Sequence, residues 1–174
     1  MDVRRWDVLK SFIKHHGWTR GAEIGVWRGQ TFFVLLEDCP KLELIGVDSW
    51  ETSEPHEKDI EKGLSSWKSP ADVRRFCNEV KSKAANYPNG TILHMRSDKA
   101  AQAVDDRSLD FVFIDGDHQE ESVIEDVTLW RPKLREGGWV LGHDEQWPSV
   151  RRALVRLFGK WETYPDNVWA VPND

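Results

Sequence analysis

Leu109-Asp110-Phe111-Val112-Phe113-Ile114 is an almost unbroken apolar run, and Asp115-Gly116-Asp117-His118 follows it directly. A strand that is apolar on both faces belongs in the middle of a parallel sheet covered by helices on both sides. The same device recurs along the chain. Ala22–Val26 carries Glu23, Leu42–Val47 closes on Asp48, Thr91–Arg96 is followed by Ser97-Asp98, and Trp139–Gly142 by His143-Asp144. Helical patterns separate these runs. They cover Gln30 to Glu37, closed off by Pro40, and Pro70 to Asn86 before the turn Tyr87-Pro88-Asn89-Gly90. A short helix then reaches Val104, and another carries Val123, Val127 and Trp130 to Leu134, ahead of a Gly137-Gly138 turn. Strand and helix in alternation imply right-handed crossovers and an α/β, doubly wound, mostly parallel sheet. Trp6, Leu9, Ile13 and His16 add an amphipathic helix from Asp2 to His16 with Gly17 as its C-cap. After a helix from Ser149 to Phe158, the short strands Trp161–Tyr164 and Asn167–Val171 are close enough to pair as an antiparallel C-terminal hairpin.

The 174 residues suit one domain spanning 1–174, with residues 1–17 as its N-terminal helix. Against 30 acidic residues stand 24 basic ones, a net charge of −6 without a basic stripe, which argues against nucleic acid as a partner. Cys39 and Cys77 lack metal-type spacing and read as reduced, packed thiols. No apolar run is long enough for a membrane span and the N-terminus lacks a signal peptide's core, so a cytoplasmic protein is expected. Monomer and homodimer are equally compatible with the sequence.

Gly21-Ala22-Glu23-Ile24-Gly25-Val26-Trp27-Arg28-Gly29-Gln30-Thr31 reads as strand, tight turn and helix start. Glycines at Gly25 and Gly29 allow positive φ and close approach of a ligand, toward which the helix points unpaired N–H groups. Asp48, nineteen residues after Gly29, stands where nucleotide-binding units keep a carboxylate for ribose hydroxyls. The alternative reading is a turn kept tight only for packing. Trp27 occupies the place of the middle glycine of dinucleotide loops, and Glu23 would repel a pyrophosphate, so a nicotinamide oxidoreductase is disfavoured and a ligand with a cationic centre is favoured. Residues 49–69 break every period and read either as a lid or substrate-binding loop or as a solvated insertion.

In parallel α/β sheets ligands sit beyond the carboxyl ends of the strands. Here those ends carry Glu23, Asp48, Ser97, Asp98, Asp115, Asp117, His118, His143 and Asp144. Converging, half-buried carboxylates need a ligand, a cation or both. Glu-Ile-Gly-x-x-x-Gly, an acid after the second strand, Ser-Asp after the third, Asp-Phe-Val-Phe-Ile-Asp-Gly-Asp-His, and Pro-Lys-Leu-x-x-Gly-Gly before the fifth closely resemble class I S-adenosylmethionine-dependent methyltransferases over about residues 18 to 145. The nearest likeness is to the small-molecule O-methyltransferase branch, with its catechol and macrolide-sugar types. That resemblance implies a Rossmann-like sheet of seven strands and S-adenosylmethionine as cofactor. Glu23, Gly25 and Gly29 would surround the methionine end, Asp48 the ribose with Ser49 and Trp50 beside the adenosine, and Ser97 and Asp98 the adenine; Asp115 would stand beside the transferring methyl. In metal-dependent relatives the ligand positions correspond to Asp115, His143 and Asp144. His143 replaces an acid there, and a histidine with two carboxylates suits a divalent transition metal better than magnesium.

Methyl transfer to a hydroxyl requires in-line geometry and loss of a proton. His118 and His143, with Asp115, form the expected catalytic set, His118 as base or His143 as base or ligand. His118 satisfied by Asp117, and His143 in a structural hydrogen bond, are the blander readings. His56 in the long loop is read as solvated or else as a base that reaches the acceptor, and Trp50, Trp67 and Trp147 as surfaces on which a small-molecule acceptor could stack. A non-catalytic nucleotide-binding or scaffold protein of the same fold is the alternative function.

Overall fold

The computed structural model describes residues 2–51 and 70–173. His56, Trp67 and most of the loop expected over 49–69 therefore lie outside the described residues. The elements are α1 (Arg5–His16), β1 (Arg20–Ile24), α2 (Gln30–Asp38), β2 (Glu43–Asp48), α3 (Pro70–Ala84), β3 (Gly90–His94), α4 (Ser97–Gln102), β4 (Leu109–Ile114), α5 (Glu120–Trp130), β5 (Leu134–Gly142), α6 (Pro148–Leu157), β6 (Glu162–Tyr164) and β7 (Val168–Pro172).

Seven strands form one sheet in the order β3-β2-β1-β4-β5-β7-β6. β1 to β5 are parallel, while β7 runs antiparallel to β5 and β6 antiparallel to β7. The chain winds outward from β1 in one direction, returns to β4 on the other side of β1, and winds outward again. The expected doubly wound sheet with a C-terminal hairpin is thus the fold observed.

Alternation along the central strands feeds two cores. Phe111 and Phe113 of β4 pack with Leu9, Phe12, Phe32 and Leu36, on the face covered by α1 and α2. Val112 and Ile114 pack with Ala22, Ile24, Val127, Trp130 and Leu154, on the face covered by α5 and α6. Burial of all six β4 residues explains why that run carries no polar alternation. Gly17 ends α1 in the left-handed region at φ 66°, its role as C-cap being one that glycine fills without strain. The β6–β7 turn places Asp166 and Asn167 at φ 57° and 55°, the primed geometry that matches the twist of a hairpin.

Two boundaries differ from expectation. The helix expected to reach Leu134 stops at Trp130 and gives way to a single 3-10 turn at Arg131–Lys133, because Pro132 has no N–H with which to continue an α-helix. Gly137-Gly138 is not a turn before the fifth strand but lies inside β5, where pairing with β4 jumps from Leu109↔Leu134 to Phe111↔Trp139. Gly137 there has φ 73°, and a Cβ on Gly138 would lie 2.8 Å from the Asp110 carbonyl, so the pair forms a bulge in which backbone crowds backbone.

One buried acid on α5 belongs to packing. Asp126 is 9% exposed and interacts with Ser97, whose Oγ accepts the Trp130 indole N–H at 2.8 Å, tying α5 to α4. Burial raises its pKa from 3.8 to about 6, with the Ser97 hydrogen bond opposing. A folded-state acid with a raised pKa weakens the fold as pH climbs from 3.8 through 6 and costs nothing below 3.8. Asp126→Asn should therefore stabilise the protein at about pH 7.5, by at most roughly 3 kcal/mol, with the gain vanishing toward about pH 4. Urea unfolding at both pH values checks this, and a gain that does not depend on pH contradicts it.

Candidate functional site

The order of the strands changes direction between β1 and β4, and the crevice beyond their carboxyl ends is where the polar residues gather. Alternation turns Ala22 and Ile24 toward the α5–α6 face and Glu23 toward the face covered by α1 and α2. Glu23 is 2% exposed, and its Oε2 has no hydrogen-bond partner among the described residues. Burial raises its pKa well above the ordinary carboxyl value, the charge of Asp115 adds to the rise, and Arg5 opposes it. A buried carboxyl with an open oxygen is a ready partner for an ammonium or another cation.

The glycine turn forms the wall beside it. Gly25, at φ 96°, donates its N–H to the Val47 carbonyl at 2.8 Å, and a Cβ there would collide with the Asp115 backbone. Gly29, at φ 74°, precedes α2, which has no side chain capping its N-terminus. Asp48 binds the two neighbouring loops together. Its Oδ2 accepts the Trp27 N–H and its Oδ1 the Trp50 N–H, both at 2.7 Å, while the Trp50 indole N–H donates to the Trp27 carbonyl at 2.8 Å. Trp27 and Trp50 both sit at positive φ, a conformation these bonds hold in place. Ser49 is anchored through its carbonyl, 3.1 Å from His94 Nε2, and the other side of the His94 ring faces the Cys77 thiol, with Nδ1 3.6 Å from Sγ.

Ser97 and Asp98 open α4. The Ser97 hydroxyl is engaged by Trp130 and Asp126, and Asp98 pairs with Arg96 at 3.2 Å, so both are held by their own neighbourhood.

Across the crevice Asp115, His118, His143 and Asp144 come together. His118 Nε2 lies 2.5 Å from Asp144 Oδ2, and His143 Nδ1 lies 3.1 Å from Asp144 Oδ2 and 3.4 Å from Asp115 Oδ1. Asp117 is occupied elsewhere, accepting from the Gln119 N–H and the Ser122 hydroxyl at the start of α5, and so does not satisfy His118. Burial disfavours charge on all three central groups but is overridden. Hydrogen bonds with Asp115 and Asp144 lift His143 to about 9, Asp144 raises His118, and the two histidines hold Asp144 well below the carboxylate range. Asp144 itself takes φ 59°.

Donor atoms of Asp115, His118 and Asp144 lie within 4.8 Å of one another, close enough to share one ion. His143, expected as a ligand, contacts both acids through Nδ1, while its Nε2 is buried without a hydrogen-bond partner, 4.0 Å from Asp166 Oδ2. Two carboxylates and an imidazole are a donor set that fits a divalent transition metal. Glu23's open oxygen and the glycine wall likewise fit a ligand with a cationic amino-acid end.

Two contributors escaped sequence reasoning. Arg5 of α1 places Nε 2.8 Å from Thr31 Oγ1 and 3.3 Å from Asp115 Oδ2, and Asp166 in the hairpin turn accepts the Arg5 backbone N–H at 2.8 Å. Arg5 lies among other charged residues at a helix start, and Asp166 in an ordinary turn, so neither carries a local signal. Trp147 stands 5.2 Å from His118, ring centre to ring centre.

Comparison with known proteins agrees with this geometry. The family described as Methyltransferase domain matches residues 22–145. An uncharacterized protein of Acanthamoeba polyphaga mimivirus is 25% identical over 169 residues, covering 88% of this chain and 68% of that protein. Among solved structures, a Staphylococcus aureus protein assigned as a caffeoyl-CoA O-methyltransferase superposes with a TM-score of 0.65 at 15% identity, covering 99% of this chain and 85% of that one. The O-methyltransferase NovP gives 0.65 at 19% identity, covering 97% and 78%. The chain belongs to the methyltransferase-domain family and has the class I, S-adenosylmethionine-dependent O-methyltransferase-like fold.

Proposed function

We propose that this protein transfers the methyl group of S-adenosylmethionine to a hydroxyl of a small molecule, a sugar or an aromatic ring. The observation that carries the reading is the His118–Asp144 pair at the mouth of the crevice, 2.5 Å apart and beside Asp115. A hydroxyl acceptor must give up a proton, and a histidine oriented by a carboxylate is a means of taking it. With Nε2–H donated to Asp144, the other ring nitrogen of His118 is left as the proton acceptor.

Glu23 would hold the cationic end of the cofactor, Asp48 the ribose hydroxyls, and the Gly25–Gly29 turn the space between them. Ser49 and Trp50 would flank the adenosine, with Ser97 and Asp98 at its far edge. Asp115 faces the crevice between Glu23 and His143, next to the transferring methyl. In the same reading Asp115 and Asp144, with His143 or His118 as nitrogen donor, would hold a divalent metal ion. Such an ion supplies a Lewis acid that lowers the acceptor hydroxyl's pKa. Trp147, beside His118, offers an aromatic wall for the acceptor, and the acidic balance of the chain favours an uncharged or cationic acceptor over nucleic acid. Among the described residues no helix is long and apolar enough to cross a membrane.

Formation of S-adenosylhomocysteine across a panel of catechols and sugar alcohols tests the assignment. Asp115→Ala should lower turnover on any accepted compound by at least about a hundredfold, within the range for a group acting at the reacting atoms, and a loss of tenfold or less would remove Asp115 from the catalytic set. EDTA treatment should abolish turnover and added manganese or zinc restore it. Full activity in EDTA would eliminate the metal and leave the histidines alone to manage the proton.

A further inference from the structure

We propose that Asp166, in the turn of the C-terminal hairpin, is a positioning residue that orients His143 so that its Nδ1 is the nitrogen donor to a divalent ion. The inference rests on the reading that Asp115 and Asp144 hold such an ion. It goes past that reading by choosing His143 over His118 as their partner and by naming what holds the ring.

Which nitrogen of an imidazole binds a metal is set by the hydrogen bond given to the other, and a carboxylate is a common partner for that second N–H. His143 turns Nδ1 toward the two acids, 3.1 Å from Asp144 Oδ2 and 3.4 Å from Asp115 Oδ1. Its Nε2 is buried without a hydrogen-bond partner among the described residues, and Asp166 Oδ2 lies 4.0 Å from it. That separation is within ion-pair range and about an ångström longer than a hydrogen bond.

The carboxylate is held in place by several contacts. The Asn167 carbonyl accepts the Glu145 N–H at 3.1 Å, and the Trp169 indole N–H donates to the His143 carbonyl at 3.1 Å. Glu145 is itself buried and accepts from Arg151 Nε at 2.7 Å, while the His143 N–H donates to the Ile114 carbonyl at 3.0 Å. Asp166 Oδ2 also accepts the Arg5 backbone N–H at 2.8 Å, which pins it to the start of α1. The hairpin turn and the segment that carries His143 and Asp144 are thus joined on both sides of the ring. With its proton on Nε2 facing Asp166, a neutral His143 keeps the lone pair of Nδ1 for the ion, and His118 is left to take the acceptor's proton.

Zinc alone, added to protein with labelled histidine nitrogens, tests the assignment without turnover. In the unaltered protein, nuclear magnetic resonance should show Nδ1 of His143 ligated and Nε2 still protonated, with its N–H proton shifted downfield by a hydrogen bond. Asp166→Asn keeps an oxygen for the Arg5 N–H but removes the charge. Calorimetry should show its zinc affinity lowered about tenfold or more, the loss typical when such a carboxylate is removed, and at saturating zinc the His143 Nε2–H proton should move upfield. Zinc ligated through His118 and not His143 in the unaltered protein overturns the proposal, and this result needs no variant to fold. Unchanged zinc affinity in Asp166→Asn overturns it too, as does a lowered affinity with the Nε2–H proton unmoved, which would make Asp166 merely structural. Failure of the unaltered protein to take up zinc at these acids overturns the metal reading along with it.

Discussion

The parallel pairing of β1 with β2 on one side and β4 on the other is the constraint on which the remainder of the site depends. Because the chain winds away from β1 in both directions, no crossover helix can cover the crevice between β1 and β4, and their carboxyl ends open onto the same gap. Glu23 sits at one lip of that gap and Asp115 at the other, with the Asp115 N–H bonded to the Ile24 carbonyl at 2.8 Å. The same backbone contact leaves no room for a side chain at Gly25. Close approach of strands and close approach of carboxylates are therefore one geometric fact, and the acids cannot be separated without pulling the central sheet apart.

So many acids within a half-buried rim require compensation, and the structure supplies it unevenly. Asp144 is matched by two histidines, Asp115 by His143 and Arg5, and Asp48 by two backbone N–H groups. Glu23 has an electrostatic neighbour in Arg5 but an oxygen to which nothing among the described residues is hydrogen-bonded. Unpaired buried polar atoms are few in native folds and cost free energy comparable to a lost hydrogen bond. Glu23 Oε2 and His143 Nε2 are the two such side-chain atoms among the described residues. Glu23 Oε2 is the unmet acceptor that a cationic ligand group would satisfy.

Much of this was legible in the amino-acid order because buried parallel strands leave so plain a trace. Leu109–Ile114 has six residues with no exposed face, and polar residues stand at or just beyond the ends of the strands around it: Glu23, Asp48, Asp115 and His143. Glu23, Asp48, Asp115 and Asp144 were readable as rim residues from that pattern. What sequence could not show was set by contacts distant along the chain. Arg5 meets Asp115 across 110 positions and Asp166 across 161. The choice of Asp144 over Asp117 as partner of His118 depends on how α5 starts, where Asp117 is consumed by Gln119 and Ser122. Gly137-Gly138 looked like a loop because two glycines usually mark one, yet here they allow a strand to bulge against the Asp110 carbonyl.

A crystal structure of the protein with S-adenosylhomocysteine and a divalent cation addresses the central claim most directly. The account predicts the ligand lying across the β1–β4 crevice, its amino group on Glu23 and its ribose on Asp48, with any ion between Asp115 and Asp144. A ligand bound elsewhere, or a crevice that stays empty at saturating concentration with Glu23 still unpartnered, would contradict it.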